Sequence, residues 1–140
     1  MPIINVQSGL DLKEAASAIF RALDIEHSEL RDSDNFPGGW YWKGQIGAFT
    51  VRISESDPDD PSCSGTQYQI YLRVDSSSQT DPEDAAFMMI AELLRAGFPV
   101  VRKVSRTEAA IERDWYSFDN EGNIEIRRET LPTLELTQHS

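Results

Sequence analysis

Four carboxylates lie in one short stretch of the chain, at Glu55, Asp57, Asp59 and Asp60. Prolines interrupt this stretch, which therefore predicts a loop, and we call residues 55–65 the acidic loop. Carboxylates at such close spacing support three kinds of chemistry: cation binding, acid–base catalysis and docking of a basic partner. The neighbouring residues decide among these three.

The spacing does not suit a metal ion. Residues 57–61 begin like a calcium-binding loop, but the central glycine and the closing glutamate of such a loop are missing. Pro61 occupies a position that requires an oxygen side chain. The two histidines, His27 and His139, belong to no ligand-spaced cluster. The sequence therefore predicts no metal site and no cofactor.

Nucleophilic catalysis has equally little support. Cys63 is the only cysteine, and it stands beside carboxylates that disfavour its thiolate. No local pattern pairs it with His27, and the chain has no Gly-x-Ser-x-Gly elbow, P-loop or Gly-x-Gly-x-x-Gly turn. The sequence is compatible with catalysis by a pair of carboxylates, because a chain with 24 acidic residues brings some of them close together when it folds. A small carboxylate-based enzyme is a third hypothesis, and it requires a pocket that holds two or more acids.

Charge and composition favour a protein partner. The chain has 24 acidic and 13 basic residues, a net charge of −11. Eight acids and one base lie between Glu55 and Asp84. Nucleic acids and anionic membranes both require cationic surfaces, so neither is expected as a partner. No apolar run of transmembrane length, no signal-peptide pattern and a lone cysteine together favour a cytoplasmic location.

The run Trp40, Tyr41 and Trp42 is a further candidate for a contact surface. On a strand, the two tryptophans point to one face of the sheet and Tyr41 to the other. Tyr71 falls on the polar face of a later strand. Such residues often anchor protein interfaces, because they bury a large area at a small cost in rotamer freedom.

Basic residues cluster late in the chain, where six of them in residues 100–128 are matched by six acids. This balance predicts a surface of ion pairs rather than a nucleic-acid interface. The six are Arg102, Lys103, Arg106, Arg113, Arg127 and Arg128.

Two amphipathic segments predict helices. Residues 9–25 carry apolar side chains at three- to four-residue spacing, with Asp11 as the N-cap and Glu14 in the first turn. The second helix has the strongest start signal of the chain, because Asp81 is followed by a proline and two acids. Gly97 marks its end.

Alternating apolar and polar residues predict strands over 40–43, 48–54, 67–75, 98–104, 115–118 and 123–129. Residues 26–39 predict a loop. Residues 105–113 leave a short helix and a strand open, and the helix is favoured because Ser105 and Glu108 match a capping box. The order α-β-β-β-α-β-(α)-β-β predicts one α+β two-layer domain over residues 1–140. In it, two main helices pack on a mostly antiparallel sheet of about five to six strands. Residues 130–140 are expected to form a mobile tail.

The first functional hypothesis is a small acidic cytosolic protein that binds and covers a basic partner. Size, charge and the lack of catalytic motifs resemble the general character of bacterial immunity proteins and antitoxin-like inhibitors. This resemblance implies a partner such as a toxin or an enzyme with a cationic cleft. The expected contact residues are Glu55, Asp57, Asp59, Asp60 and Tyr71, with Trp40 and Trp42 beside them.

The alternative hypothesis is a secretion chaperone. The element order, the size and the low isoelectric point are similar to those of the dimeric type III secretion chaperones. This resemblance implies a homodimer that binds a segment of an effector and that shields Met88 and Leu94 of the second helix. The sequence leaves both a monomer and a homodimer open.

Overall fold

The computed structural model describes residues 2–75 and 77–132. One antiparallel sheet of eight strands carries two helices on one of its faces. The strands are β1 (Ile3–Val6), β2 (Ser28–Asp32), β3 (Trp40–Ile46), β4 (Phe49–Glu55), β5 (Tyr68–Val74), β6 (Val100–Arg106), β7 (Ala110–Phe118) and β8 (Ile124–Pro132); the helices are α1 (Leu12–Ala22) and α2 (Pro82–Arg95). The predicted α+β class with a mostly antiparallel sheet and two main helices is confirmed, but the sheet has eight strands instead of five or six.

The strands follow the order β2-β3-β4-β5-β1-β6-β7-β8 across the sheet. The N-terminal strand β1 lies in the middle, antiparallel to β5 on one side and to β6 on the other. Because both neighbours run antiparallel to β1, they run parallel to each other, and α2 connects them across one face. β1 thus joins a β2–β5 half of the sheet to a β6–β8 half.

Helix α1 begins at Leu12, later than the predicted segment 9–25, and Asp11 is its N-cap as predicted. Asp11 is extended, and its carboxylate accepts a hydrogen bond from the backbone N–H of Glu14 at 2.8 Å, which satisfies one of the unpaired donors of the first turn. The helix ends at Ala22, earlier than predicted, and Asp24 then adopts a left-handed conformation with φ 60°. α1 packs against β3 and β4.

Helix α2 follows its sequence signals closely. The Asp81 carboxylate accepts from the N–H of Glu83 at 2.8 Å, and Pro82 occupies the first turn. Gly97, just beyond the last turn, has φ +93° and lets the chain reverse into β6. α2 packs against β5, β6 and β7, so the two helices together cover the middle of one face.

The core lies between this face and the helices. Its fully buried large side chains are aliphatic and alternate along the central strands, which is the pattern of a strand with one covered face. They include Ile4, Val6, Ile19, Ile53, Ile70, Ile90, Leu93 and Val100.

Two strands were missed in the sequence. β1 is only four residues long and buried, too short for alternation to show. β2 is exposed at all five positions and lies at the sheet edge, and its Ser-Glu-Leu-Arg-Asp sequence has no apolar face. The prediction of a continuous loop over residues 26–39 was therefore wrong for β2, whose pairing with β3 makes it a strand.

The helix predicted over residues 105–113 was also wrong. Residues 105 and 106 end β6, and β7 begins at Ala110, so the segment is a hairpin. The Thr107 hydroxyl accepts from the N–H groups of Ala109 and Ala110, which closes a side-chain-stabilised turn. A polar pattern that suits a helix start suits such a turn equally well.

The hairpin of β7 and β8 is confirmed, and both strands are longer than predicted. The Asp119 carboxylate accepts from the N–H groups of Glu121 and Asn123 and so closes the turn. β8 continues to Pro132, so residues 130–132 of the predicted tail belong to a strand. Residues 133–140, including His139, lie outside the described residues.

Replacing Gly44 by alanine should lower the free energy of unfolding by about 1–3 kcal/mol. Gly44 is buried in β3, and a Cβ there would lie 2.8 Å from Ile25 Cγ2 and 2.9 Å from Phe20 Cε1, inside van der Waals contact. Urea denaturation followed by tryptophan fluorescence measures the effect. Gly9→Ala is the control, because a Cβ at Gly9 meets nothing within 4 Å. Equal midpoints for Gly44→Ala and the wild type would contradict this packing of α1 on β3.

Candidate functional site

The face of the sheet opposite the helices, here called the open face, carries the candidate site. Register partners on antiparallel strands share a face, so rows of side chains cross it. One row runs Glu29, Lys43, Arg52, Tyr71, Ile3; the next runs Arg31, Tyr41, Ser54, Gln69, Asn5, Val101, Trp115, Arg127; a short third row runs Gln45, Thr50, Arg73.

The acidic loop lies against this face instead of projecting into solvent. Its short 3₁₀ turn, Pro61–Cys63, contacts β7, and the loop buries the side chains of Ser62, Cys63 and Thr66. The polar strand residues that it contacts and that are buried with it are Asn5, Gln69 and Arg113. The loop therefore forms a local third layer over one part of the sheet.

Arg113 fastens the acidic loop to the sheet. Its side chain is only 3% exposed. One guanidinium nitrogen, Nη1, donates to the backbone carbonyls of Ser62 at 3.0 Å and Ser64 at 2.7 Å. Nε donates to Glu129 Oε1 at 2.8 Å, and Nη2 donates to the same oxygen. A buried cation requires such partners, so this arrangement couples the loop to β7 and β8.

Glu129 is held as an anion beside this cation. Burial alone would raise the pKa of the Glu129 carboxyl. Hydrogen bonds from Arg113 and from the indole of Trp115 outweigh this effect, and the positive charges of Arg113 and Arg127 add to them. The pKa of Glu129 is therefore lowered below its ordinary value. Trp115 Nε1 donates to Glu129 Oε1 at 3.1 Å, and its ring centroid lies 5.4 Å from the Arg113 guanidinium carbon. The ion pair therefore persists at neutral pH.

A chain of polar contacts runs beneath the loop. The Tyr71 hydroxyl donates to Gln69 Oε1 at 2.6 Å, Gln69 Nε2 donates to Cys63 Sγ at 3.0 Å, and the thiol lies 4.0 Å from Asn5 Oδ1. Burial, and secondarily the charge of Asp60, raises the pKa of Cys63. The thiol is thus kept protonated, as its acidic neighbours suggested, although burial is the larger cause.

Three of the predicted acidic residues stay together on this side. The Asp60 carboxylate accepts from the backbone N–H and hydroxyl of Ser62 at 2.9 and 2.7 Å. Asp57 Oδ1 accepts from the N–H of Asp59 at 2.9 Å. Burial raises the pKa of Tyr71, and the negative charges of Asp57 and Asp60 add to that rise. Through Gln69, the Tyr71 hydroxyl is linked to Cys63 of the acidic loop.

Glu55 is separated from these three. It pairs in register with Tyr68 on β5, whose side chain belongs to the core on the helix side of the sheet. Glu55 also lies against the loop before β3, since a Cβ on Gly38 would overlap its Oε2 atom. Its carboxylate is therefore directed away from the other three, although all four residues line one cleft.

A cleft of about 1030 Å³ runs along the acidic loop. Its walls are residues 55–61 and 63–68 together with Leu131 and Pro132 of β8, and none of these side chains is basic. The cleft supplies the pocket that the carboxylate-enzyme hypothesis requires, but the enzyme is an untested alternative to the predicted binding protein.

Aromatic residues also divide between the two faces. Trp40 and Trp42 lie on the helix side, where Trp42 packs against the core and Trp40 is 49% exposed. On the open face, Phe36 stacks on Tyr41 with ring centroids 4.2 Å apart and meets the Tyr71 ring edge-on at 5.4 Å. Tyr71 was predicted from the sequence as a contact residue, but Phe36 and Tyr41 were not predicted as its ring partners. No local signal connects Phe36, in a Pro-Gly-Gly loop, with β5.

Basic residues collect on the other half of the open face, over β2–β5. They are Arg31, Lys43, Arg52 and Arg73, which we call the cationic half. Ion pairs were predicted for the late basic cluster, and four of its members have a carboxylate within 4.0 Å: Arg102, Arg106, Arg113 and Arg128. The cationic half was not foreseen, because its members are far apart in the sequence.

Among residues 2–75 and 77–132, no group of three His, Cys, Asp or Glu residues is arranged to hold a metal ion. Neither helix in the described part of the chain has the length and apolar character needed to cross a membrane. Comparisons of the chain with protein-family models, curated proteins and solved structures find no match.

Replacing Arg113 by methionine should release the acidic loop and lower the free energy of unfolding by about 1–3 kcal/mol, because Glu129 and the carbonyls of Ser62 and Ser64 lose their donor while Glu129 stays partly solvated. Backbone amide exchange of residues 56–66 should accelerate more than that of β4, as measured by hydrogen–deuterium exchange. For Arg113→Lys, both the loss of stability and the acceleration of exchange should lie between those of the wild type and the methionine variant. A lysine ammonium lacks the forked donors with which the guanidinium binds the loop and Glu129 at the same time.

Arg106→Met is the matched control. Arg106 lies 4.0 Å from Asp60 and its side chain is 53% exposed, so its loss should change stability by less than about 1 kcal/mol. Equal acceleration of loop exchange in both methionine variants would contradict the role given to Arg113.

Proposed function

We propose that this protein binds a basic protein partner through the acidic loop and the aromatic side chains of the open face. The observation that carries this proposal is the attachment of the loop at both ends of this stretch. Arg113 donates to the carbonyls of Ser62 and Ser64, and a local turn, in which Asp57 accepts from the N–H groups of Asp59 and Asp60, holds the first two acids. Asp59 is exposed and Asp57 is half-buried. A partner therefore meets carboxylates whose positions are already set.

Preorganisation supports binding for a physical reason. A loop that becomes ordered only on association loses conformational entropy at that moment, and the loss weakens affinity. The described contacts of Ser62, Cys63 and Thr66 hold this loop before any partner arrives. The negative charge of the loop can then act on both the association rate and the choice of partner.

The adjacent aromatic cluster supplies the apolar part of such an interface. Phe36, Tyr41 and Tyr71 lie together on the open face, and all three are half-buried. Their partly accessible rings fit the central contacts of protein interfaces, where Tyr and Trp dominate. Glu55, Trp40 and Trp42 lie on the helix side and are not part of the proposed contact.

Changing Asp57 and Asp59 together to asparagine should slow association with the basic partner about tenfold at low salt, because the attracting charge is lost. Asparagine keeps the side-chain oxygen that accepts the N–H of residue 59, so the loop geometry is retained. Asp60 is left unchanged because it caps Ser62. The protein captured from an extract of the source cells by the wild type is identified, and its association rate is measured by surface plasmon resonance.

The control variant Glu121→Gln/Glu125→Gln removes the same two charges from the hairpin of β7 and β8. It should bind as the wild type does. If the partner binds the Asp57→Asn/Asp59→Asn variant at the wild-type rate and affinity, the acidic loop is not its docking surface.

A homodimer of the secretion-chaperone type is the second candidate, and one observation favours it. Met88 on α2 is 70% exposed, beside Phe87 at 45%. A groove of about 530 Å³ runs past Met88 between α2, the end of α1 and the turn between β3 and β4. Leu94, by contrast, packs partly against the core. The apolar surface offered for dimerisation is therefore the Met88 side of α2.

This alternative predicts that the wild type sediments as a dimer at micromolar concentration and that Met88→Asp is a monomer. Burying Met88 against a second copy would make a charge there unfavourable. Analytical ultracentrifugation of both proteins measures the result, and Glu125→Gln, on the hairpin of β7 and β8 away from this groove, serves as the control. A monomeric wild type over the same range would eliminate the dimer.

A further inference from the structure

The cationic half of the open face contains an unfavourable arrangement of charges. Lys43 and Arg52 are direct register partners on β3 and β4, and Arg73 is two positions further along on β5. Like charges directly opposite each other on neighbouring strands destabilise a sheet. In a chain with 24 acidic residues, this juxtaposition of cations calls for an explanation.

Neighbouring carboxylates do not neutralise these cations. Glu29 pairs in register with Lys43, but its carboxylate forms an ion pair with Arg31 at 2.5 Å. None of the ion pairs found within residues 2–75 and 77–132 includes Lys43, Arg52 or Arg73. The Asp75 carboxylate, whose pKa is lowered chiefly by hydrogen bonds from Ser77, feels Arg73 only as a more distant charge.

Arg52 is also incompletely paired by the protein itself. Its guanidinium carbon lies 5.9 Å from the centroid of the Tyr41 ring, and its Nε is buried without a hydrogen-bond partner among the described residues. Tyr71 is its register partner on the opposite side. A cation between two tyrosines matches the mixed polar and aromatic composition of binding surfaces.

We propose that the cationic half of the open face binds an acidic, extended segment of a partner protein. Carboxylates of this segment pair with Lys43, Arg52 and Arg73, and its backbone lies along the rings of Tyr41 and Tyr71. The segment supplies the negative charge that the sheet lacks at this place. This interaction is opposite in charge to the contact of the acidic loop with a basic surface. The two contacts share the rings of Tyr41 and Tyr71, so one partner that carries both charges fits both halves.

The dimensions fit a short peptide. Strands are spaced about 4.8 Å apart, so β2 to β5 span roughly 14 Å, the length of about four to five extended residues. A nucleic acid is the less favoured occupant. Its phosphates continue beyond this distance, and on the same face they would meet Asp57, Asp59 and Asp60 of a chain with net charge −11.

The test uses a fluorescein-labelled peptide of six glutamates flanked by glycines, titrated into the full-length protein at low ionic strength. Fluorescence anisotropy should show salt-sensitive binding, and amide NMR shifts should map to β3, β4 and β5. Lys43→Gln/Arg52→Gln should weaken binding by about tenfold or more, since two charge pairs are lost. Lys13→Gln/Arg21→Gln, which removes the same charge from α1, should bind as the wild type does.

Three outcomes would overturn the proposal: no binding of the glutamate peptide, equal weakening in the two double variants, or tighter binding of a single-stranded oligothymidine at the same salt concentration. The last would assign the face to nucleic acid. Asp57→Asn/Asp59→Asn should bind the glutamate peptide at least as tightly as the wild type. The acidic-loop proposal can therefore fail while this one stands, and the reverse also holds.

The stability of Lys43→Gln gives a second, independent measurement. If the two opposed cations exist for a ligand, removing one of them should leave the urea midpoint unchanged or raise it. A clear fall in the midpoint would mean that Lys43 serves the fold, and it would overturn the proposed role.

Discussion

The Arg113 guanidinium is a cation buried in the sheet. The position of the acidic loop on the open face depends on the hydrogen bonds that this guanidinium donates. Three protein groups meet it: the carboxylate of Glu129 and the backbone carbonyls of Ser62 and Ser64. An unpaired guanidinium at this depth would cost several kcal/mol. The acidic loop and the last strand are therefore held by the same side chain, and neither can move away without exposing it.

This arrangement divides the open face. Where the acidic loop packs on β5, β1, β6 and β7, polar strand residues such as Gln69 are buried and a surface rich in carboxylates faces outward. Where no loop packs, Lys43 and Arg52 remain on the bare strands. The aromatic cluster of Phe36, Tyr41 and Tyr71 lies between. The face thus presents opposite charges side by side, a distribution that favours selective binding of one partner over non-specific binding of many.

Structural features that depend on residues close together in the sequence could be predicted. Asp11 and Asp81 cap the helices, Gly97 ends α2, and the alternation of β4 and β5 identified the face that packs on the core. Failures arose where distant partners decide the structure. The edge strand β2 has no pattern of its own and exists through its pairing with β3. Residues 105–113 satisfied a helix-start pattern, and the partner strand overrode it.

The sequence by itself determined the fold class, the helix positions, the acidic balance and the lack of familiar catalytic motifs, because these depend on composition and on spacing within a few residues. Only the tertiary structure decided that Arg113 holds the acidic loop against the sheet. It also decided that the Glu55 side chain points away from Asp57 and Asp59, and that Lys43 lies opposite Arg52 on the neighbouring strand. The physical reason is register. Which residues become neighbours across strands depends on pairings between distant segments, and a one-residue shift would send every side chain to the other face.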